Sequence, residues 1–445
     1  MPGKRIIATL AVALFAAGVA SARADTVCPE AKKPASLVHL DALDQLRDAL
    51  ARSGVALELN ESTDLLGNIS GGIRQGGDFD GALQATIKAD ARCLLHWDAG
   101  TFQFSALWLH GRAISADNLG VIETASGFEA QRAVRLWEAW YSRPLADGFD
   151  LKIGQQSIDQ EFMYADSGPL FVNAMVGWPA VPSTDFYAGG PAYPLSSLGV
   201  RLKWNDGGPV TFLMGVFDDN PPGGPFAGDS QLRGAEAYGV RFNLGTGALA
   251  LAELQYALKG ERPGVYKFGA WGDMGAFPDQ RFDTTGLSLA NPLSGGMPRM
   301  HRGNGGIYAM ADQNVLPDIN LAARVVTAPA DRNLVSLSVD GSLRVTHPFG
   351  RADDVFGIAY GFAQISSRAA ALDRDTSTFS GTPYPIRSAE QFVEITYQIA
   401  VADGWQVQPD FQYFFNPGGG IPNPNLPSKR VRDEAVLGFR TSITF

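Results

Sequence analysis

Ala435-Val-Leu-Gly-Phe-Arg-Thr-Ser-Ile-Thr-Phe445 is the stretch that decides the fold. In an extended chain Ala435, Leu437, Phe439, Thr441, Ile443 and Phe445 share one face, and Val436, Gly438, Arg440, Ser442 and Thr444 share the other. Successive side chains of a strand point to opposite sides. One apolar face and one small or polar face, sustained for about ten residues, fit a strand with lipid on one side and a wet lumen on the other. The edge strand of a soluble sandwich would alternate in the same way, so the rest of the chain has to choose between them.

Working outward, the same alternation recurs. Leu198, Val200, Leu202 and Trp204 oppose Gly199, Arg201 and Lys203. Val393, Ile395, Tyr397 and Ile399 oppose Glu394, Thr396 and Gln398, and Leu337, Val339 and Leu343 oppose Ser338, Asp340, Ser342 and Arg344. Short connections (98–100, 145–148, 206–208, 246–247, 316–318, 347–353, 402–404) alternate with long ones rich in Gly, Pro, Asn and Asp (112–130, 159–196, 218–234, 272–304, 367–388, 416–430). Short turns on one rim and long loops on the other are the habit of outer-membrane barrels. Trp108, Trp204, Tyr397, Tyr413, Phe415 and Phe439 stand near strand ends, as in aromatic girdles, where a sandwich has a closed core. Counting candidates gives seventeen strands, and an even number is required. Merging Leu249–Leu258 with Val265–Trp271 across a bulge at Pro263 predicts an antiparallel barrel of sixteen.

The 445 residues carry 45% hydrophobic side chains, yet no stretch reaches the roughly 18 consecutive apolar residues a spanning helix needs. Lys4 and Arg5, an apolar run to Ala22 and the sequence Ala22-Arg23-Ala24 read as a secretory signal cut after Ala24. Taking away Lys4, Arg5 and Arg23 leaves 33 basic against 46 acidic residues, a net charge of −13, which argues against a nucleic-acid partner. Residues 25–62 form an N-terminal segment in which Leu37, Leu40, Leu43, Leu46 and Leu50 predict an amphipathic helix over 36–52, with Ser36 as N-cap and Gly54 as its stop. The barrel is expected over 63–445. Cys28 and Cys93 are the two cysteines; the oxidising compartment permits a bridge between them, whereas strand parity puts Cys93 on an apolar face.

At this point the residues resemble a family. Gly67-Asn-Ile-Ser-Gly-Gly72, Arg135-Leu-Trp-Glu-Ala-Trp-Tyr141, Lys152-Ile-Gly-Gln-Gln-Ser-Ile-Asp-Gln-Glu-Phe162, Ala330-Asp-Arg-Asn333, Gly350-Arg-Ala-Asp-Asp354 and Gln408-Pro-Asp-Phe-Gln412 with Asn416-Pro-Gly418 are similar, in order and spacing, to the carbohydrate-selective porins of the OprB family. The resemblance runs from about Leu46 to Phe445. It implies a sixteen-stranded outer-membrane barrel that passes monosaccharides such as glucose, and polyols, with no cofactor and no turnover. The partners that follow are the sugar, outer-membrane lipid and lipopolysaccharide, and the barrel assembly machinery, which would meet the strand ending in Phe445. A monomer and a homotrimer are both compatible with it.

A sugar pore needs a narrow place and hydrogen-bonding side chains that replace water around hydroxyls, with binding weak enough for release. Parity predicts a lumen lined by Lys88, Asp90, Arg92, Arg135, Lys152, Gln156, Arg201, Lys203, Arg241, Glu253, Arg324, Asp340, Arg344, Glu394, Asp410 and Arg440. Ten of these sixteen are basic, and the planar fork of arginine suits vicinal hydroxyls. The competing reading is that these charges pair across strands and stiffen the wall.

The longest connection, 159–196, is expected to fold inward with Asp159, Glu161, Asp166, Trp178 and Asp185 near its tip. Arg135 and Trp137 share a face; Glu138 falls on the lipid side by strict alternation, which is costly, so a bulge there is expected to re-aim it. The candidate substrate-binding residues are therefore Arg135, Trp137, Glu138, Lys152, Asp159, Glu161, Trp178, Arg201, Lys203, Arg324 and Arg344. Catalysis finds little support: the five histidines are scattered and no nucleophile elbow or phosphate loop is present, which leaves an outer-membrane barrel hydrolase only as a remote alternative. Asp78-Phe-Asp80 and Asp373-Arg-Asp375 read as solvated turn acids. A general or anion-preferring porin is the alternative, and a soluble periplasmic lectin or glycosidase a more distant one.

Overall fold

The structure, a computed structural model, describes Ser36, 41–146, 148–222 and 238–445. The expected signal sequence, Cys28, residues 37–40 of the expected 36–52 helix and most of 218–234 lie outside the described residues. Helix α1 runs Asp41–Arg52, and its Arg47 Nε donates to the Leu57 carbonyl at 3.2 Å. The chain then enters β1 Val55–Gly72, β2 Gly76–Asp90, helix α2 Ala91–Leu95, β3 Thr101–Gly111, β4 Ala133–Pro144 and β5 Phe149–Gln156. After two short helices, α3 Ala174–Gly177 and α4 Ala180–Asp185, come β6 Ser197–Trp204, β7 Val210–Phe217, β8 Leu249–Leu258, β9 Gly264–Asp283, β10 Pro298–Leu316, β11 Ile319–Thr327, β12 Val335–Thr346 and β13 Val355–Ile365. Helix α5 Ser367–Ser380 follows, then β14 Ala389–Ala402, β15 Trp405–Phe415, a small hairpin β16 Pro422–Asn423 and β17 Leu426–Arg430, and finally β18 Arg432–Thr444.

All strands but the small hairpin pair with their neighbours, antiparallel, in one closed barrel of sixteen. Closure is made by β1 and β18, in register from Asn60 opposite Thr444 to Asn68 opposite Val436. Alternation along β18 is as the terminal stretch predicts. Leu437 and Phe439 are 53% and 41% exposed on the outer wall, whereas Val436 and Arg440 are buried inside. Phe104, Trp108, Val200, Phe268 and Ile395 continue the outward apolar surface, as a wall facing hydrocarbon requires.

Sixteen strands are reached by a different route from the one expected. There is no merger across Pro263: β8 and β9 are separate strands, Leu258 pairing with Gly264 around the turn 259–263. The surplus candidate is instead the alternating segment Tyr238–Leu244, which is not a strand, so 246–247 is no short turn and Arg241 is not in the wall. A reason is visible at Gly239. It adopts φ 64°, and a Cβ there would stand 1.9 Å from the Leu136 carbonyl, while its own carbonyl accepts from Gln155 Nε2 at 3.0 Å. Its carbonyl is thus taken by a side chain instead of a strand neighbour. The expected loop 272–304 also shortens, to 284–297. Gly272, Gly275 and Gly303 lie within β9 and β10, which pair to their ends through two register shifts. Cys93 sits in α2, capped by Asp90, not on a strand, and it is disulfide-bonded; the chain's one other cysteine is Cys28. Arg92 turns back onto Asp90 at the rim and does not reach the lumen.

The interior is not wet throughout, as the parity argument alone had it. The connection 157–196 folds into the barrel and carries Ile158, Phe162, Met163, Leu170, Phe171, Val172, Met175 and Phe186 against inward-facing Leu213, Phe217, Leu251, Trp271, Tyr308, Phe392, Phe414 and Val436. This is the hydrophobic core of the protein, and it lies inside the cylinder. Gly269 lets Tyr308 lie flat against the wall: a Cβ there would stand 2.2 Å from its ring.

Candidate functional site

The inward segment is held at its base by β4. Opposite Ser105 and Ala106 of β3, β4 carries Glu138 and Leu136, so Trp137 is one extra residue. The bulge turns Arg135 and Glu138 to the same side, and Arg135, Trp137 and Glu138 are all buried. Glu138 accepts from Gln103 Nε2 at 2.7 Å and from the Ser157 amide at 3.1 Å, while Trp137 Nε1 donates to the Leu195 carbonyl at 3.3 Å. Ser157 and Leu195 are the two ends of the segment, so one bulged strand grips both. Asp159 accepts from the Ser157 hydroxyl and from the Tyr193 amide. Loss of hydration pushes its carboxyl up from the ordinary value.

The body of the segment is clamped by residues on the far wall. Arg324 donates to the carbonyls of Met163, Met175, Val176 and Gly177 at 2.6–3.1 Å, and its Nε to Asp340 at 2.9 Å. Cations at a helix C-terminus are favourable, and Met175, Val176 and Gly177 are the last turn of α3. Arg440 pairs with Asp64 at 2.7 Å and donates to Phe171 and Val172. Glu394 accepts from the amides of Val172 and Asn173, and Asp185 from the Leu334 amide at 2.8 Å. Trp178 packs on Phe186 and donates to the Gly189 carbonyl. Asp185 and Trp178 are thus buried in packing and do not form an exposed tip.

A second connection, 112–132, also enters the barrel. Its Ile122 and Glu123 amides donate to Glu390, and Ser126 Oγ lies 2.6 and 2.7 Å from carboxylate oxygens of Asp64 and Asp80. Asp80, from the expected turn Asp78-Phe-Asp80, is accordingly an interior group. Asp373 and Asp375 are bound by Arg387 and Arg281. Glu129 accepts from Ser115, and burial, reinforced by Asp80, pushes its carboxyl up to about 8.

A vestibule of about 360 Å³ lies open in the half of the barrel nearer the short turns. Gln160, Glu161, Tyr164 and Asp166 of the inward segment line one side, and Arg201, Lys203, Gln255, Lys267 and Asp312 line the wall. Arg201 holds Glu161 through Nε at 2.6 Å and Nη2 at 3.0 Å, and also meets Asp150; Lys152 reaches Glu161 at 2.9 Å from over the Trp140 ring. Burial raises the Glu161 carboxyl, but Lys152 and Arg201 more than offset this and hold it below its ordinary value. Lys267 donates to the Tyr164 carbonyl, and Arg344 to the Asp166 carbonyl at 3.4 Å.

Of the eleven residues proposed from sequence, Glu161, Arg201 and Lys203 line this space directly, and Lys152 stands behind Glu161. Arg344 lies at its margin through Asp166. Arg135, Trp137, Glu138, Asp159, Trp178 and Arg324 are instead buried in the anchorage of the inward segment. Gln160, Tyr164, Gln255, Lys267 and Asp312 were missed. Gln255 shares a strand face with Glu253, so parity could have found it. Gln160 and Tyr164 depend on how an irregular segment folds, which alternation does not encode.

A closed, outwardly apolar cylinder narrowed by an inward segment defines an outer-membrane diffusion channel. Residues 74–445 match the family described as carbohydrate-selective porin, OprB family. The chain is 22% identical to Porin B of Pseudomonas aeruginosa over 441 residues, 91% of this chain and 92% of that one. Its fold is similar to the high-pH structure of Pseudomonas putida OprB, with TM-score 0.81 and 20% identity over 93% of this chain and 99% of that one. The low-pH structure of the same protein matches with TM-score 0.53 and 14% identity, over 91% and 97% of the two chains. The chain belongs to the OprB family of carbohydrate-selective porins, and it is an outer-membrane β-barrel protein of a Gram-negative bacterium.

Proposed function

We propose that the vestibule receives single monosaccharides and polyols on their way through the channel, by passive diffusion and without chemical turnover. One observation carries this reading: the lining is balanced in charge. Arg201, Lys203 and Lys267 face Glu161, Asp166 and Asp312, with Gln160, Gln255 and Tyr164 between them. A neutral polyhydroxylated solute can accept from the cations and donate to the carboxylates at once. A phosphate-like anion gains from three of these groups and is repelled by the other three, so this lining does not favour the anion-preferring reading. The basic excess expected from parity is largely consumed in holding the inward segment. In this reading the outer wall is solvated by lipid and lipopolysaccharide, and the strand ending in Phe445 is the one offered to the assembly machinery.

Single-channel recording in planar bilayers tests this. Glucose is expected to reduce the ion current in a saturable way, and phosphate at equal concentration is expected not to. Arg201→Ala removes charged hydrogen bonds of about 1.5–3 kcal/mol and should raise the half-blocking glucose concentration about tenfold. Block by phosphate with none by glucose would reverse the assignment.

A further inference from the structure

On the outer wall, three adjacent strands bring ionisable groups together where hydrocarbon is expected. Along β1, Asp64 and Leu66 are buried inside, so Glu61, Thr63 and Leu65 face outward. Along β3, Leu107 and Leu109 are buried inside, so Trp108 and His110 face outward. His110 Nε2 donates to Glu61 Oε1 at 2.8 Å, and the Thr63 hydroxyl donates to the same oxygen at 2.9 Å. Gly81 of β2 makes the contact possible. A Cβ there would stand 2.7 Å from His110 Cε1 and 2.9 Å from Thr63 Oγ1, so only glycine lets the imidazole cross β2 to reach β1.

This polar island lies inside an apolar surround. Exposed Leu65 and Phe79 stand toward the rim with the long loops, and exposed Ile87 and Phe104 toward the short turns. The Trp108 and Phe79 rings flank the imidazole, with centres 5.7 and 6.3 Å from its own. Glu61 and His110 keep 22% and 23% of their side-chain surface exposed. Among the described residues no other Asp or Glu faces outward away from a strand end. An ionisable group against hydrocarbon is costly, and such groups mark functional surfaces. Two atoms of the island are unused: Glu61 Oε2 and His110 Nδ1 make no hydrogen bond among the described residues. Lipid tails offer them no partner.

We propose that this face of β1, β2 and β3 docks a second copy of the same chain, wall to wall about a two-fold axis. The island is complementary to itself in charge. As an ion pair it holds a second N–H, on His110 Nδ1, and a second acceptor, Glu61 Oε2. Across a two-fold axis each copy supplies what the other lacks, the same contact is made twice, and the four charges alternate in sign. The relief of the wall suits a close approach. Outward Gly67, Gly77, Gly81, Ala85 and Ala106 leave low ground beside the projecting Phe79 and Trp108. Small residues of this kind let two walls meet within a membrane, and the aromatic rings of one copy can seat in the hollows of the other.

The test uses the mature protein folded into phosphatidylcholine vesicles. No free cysteine is present among the described residues, so Leu293→Cys, in an exposed external loop, takes a donor dye in one batch and an acceptor in another. Energy transfer between the two is read as the lipid-to-protein ratio is raised. Saturable transfer, reversed by dilution with lipid, is expected. Glu61→Leu with His110→Phe should weaken association about tenfold, the scale of one interchain hydrogen bond in a membrane. Phe268→Ala, on β9 across the barrel, should leave it unchanged. A second readout needs neither substitution. Leu83→Cys, whose position pairs with Glu61 on one side and Trp108 on the other, should give a covalent dimer on oxidation, and Phe268→Cys should not. Transfer no greater than random mixing would overturn the proposal and leave lipid alone on this face. Equal association by wild type and double variant would overturn it too. If the double variant does not fold, the cross-linking decides, and equal yields at 83 and 268 sink the idea.

Discussion

Arg324→Ala is expected to open the channel: single-channel conductance should rise several-fold and block by glucose should be lost. The guanidinium spans the barrel from β11 to the inward segment, holding four carbonyls of 163–177 and the Asp340 carboxylate. Removing it leaves Asp340 buried without its cation, a situation that costs about 3–5 kcal/mol. The four carbonyls lose their donor as well. The barrel ladders do not depend on this contact, so the cost should fall on the segment, which is expected to leave the wall. Bilayer recording distinguishes this from a direct role in sugar binding. A sugar ligand lost at constant pore size would weaken block and leave conductance unchanged, and that result would remove the anchoring role. Arg440→Ala, which loses Asp64 and two carbonyls, should give a smaller increase in the same direction.

Hydrogen exchange in 115–130 and 160–190, corrected for the intrinsic chemical rate, is expected to slow as pH falls from 9 to about 5. The cause is a set of loop carboxyls raised by burial: Glu123, Glu129 and Asp185, with Asp159 beside them. A carboxyl raised on folding binds its proton more tightly in the folded state. Its stabilising contribution is complete below the unfolded value, near 4.5 for Glu129, and is lost as pH rises through the folded value of about 8. Glu161 works in the opposite sense. Held below its ordinary value by Lys152 and Arg201, it contributes stability above that value which is lost on further acidification. Protection should therefore peak in mild acid and fall on both sides. Glu129→Gln keeps an acceptor for Ser115 but cannot ionise, and should flatten the alkaline limb for 115–130. An unchanged limb in that variant would show that Glu129 is already ionised in the folded protein at neutral pH.

The wall of the barrel was legible because it obeys one rule. Period-two alternation is imposed by the pleat, and lipid on one side makes it visible in Leu437, Phe439, Val200 and Leu202. Even the bulge in β4 could be inferred, since Glu138 facing hydrocarbon would be too costly to leave there. Where the rule misled, backbone and not side-chain pattern decided. Tyr238–Leu244 alternates, but Gly239 is left-handed and bonded through Gln155. Gly272, Gly275, Gly303 and Gly305 look like parts of a loop yet lie in paired strands. The site was less legible. Parity says that Arg324 and Arg440 point inward but not what meets them there. The partner is an irregular segment with no period of its own, which turns candidate sugar ligands into its fastenings and leaves Arg201, Lys203 and Glu161 at the open space.

Joining β1 to β18 has a consequence for biogenesis. Ser62 and Ser442, 380 positions apart, share a hydrogen bond across that seam, so the sheet cannot become a tube until nearly the whole polypeptide has been delivered. Every shorter stage exposes two raw edges, each a template for sticking to another chain. Such a protein must be escorted in an unfinished state. Damage to the seam would therefore reduce how much mature pore accumulates well before it altered how any single pore conducts.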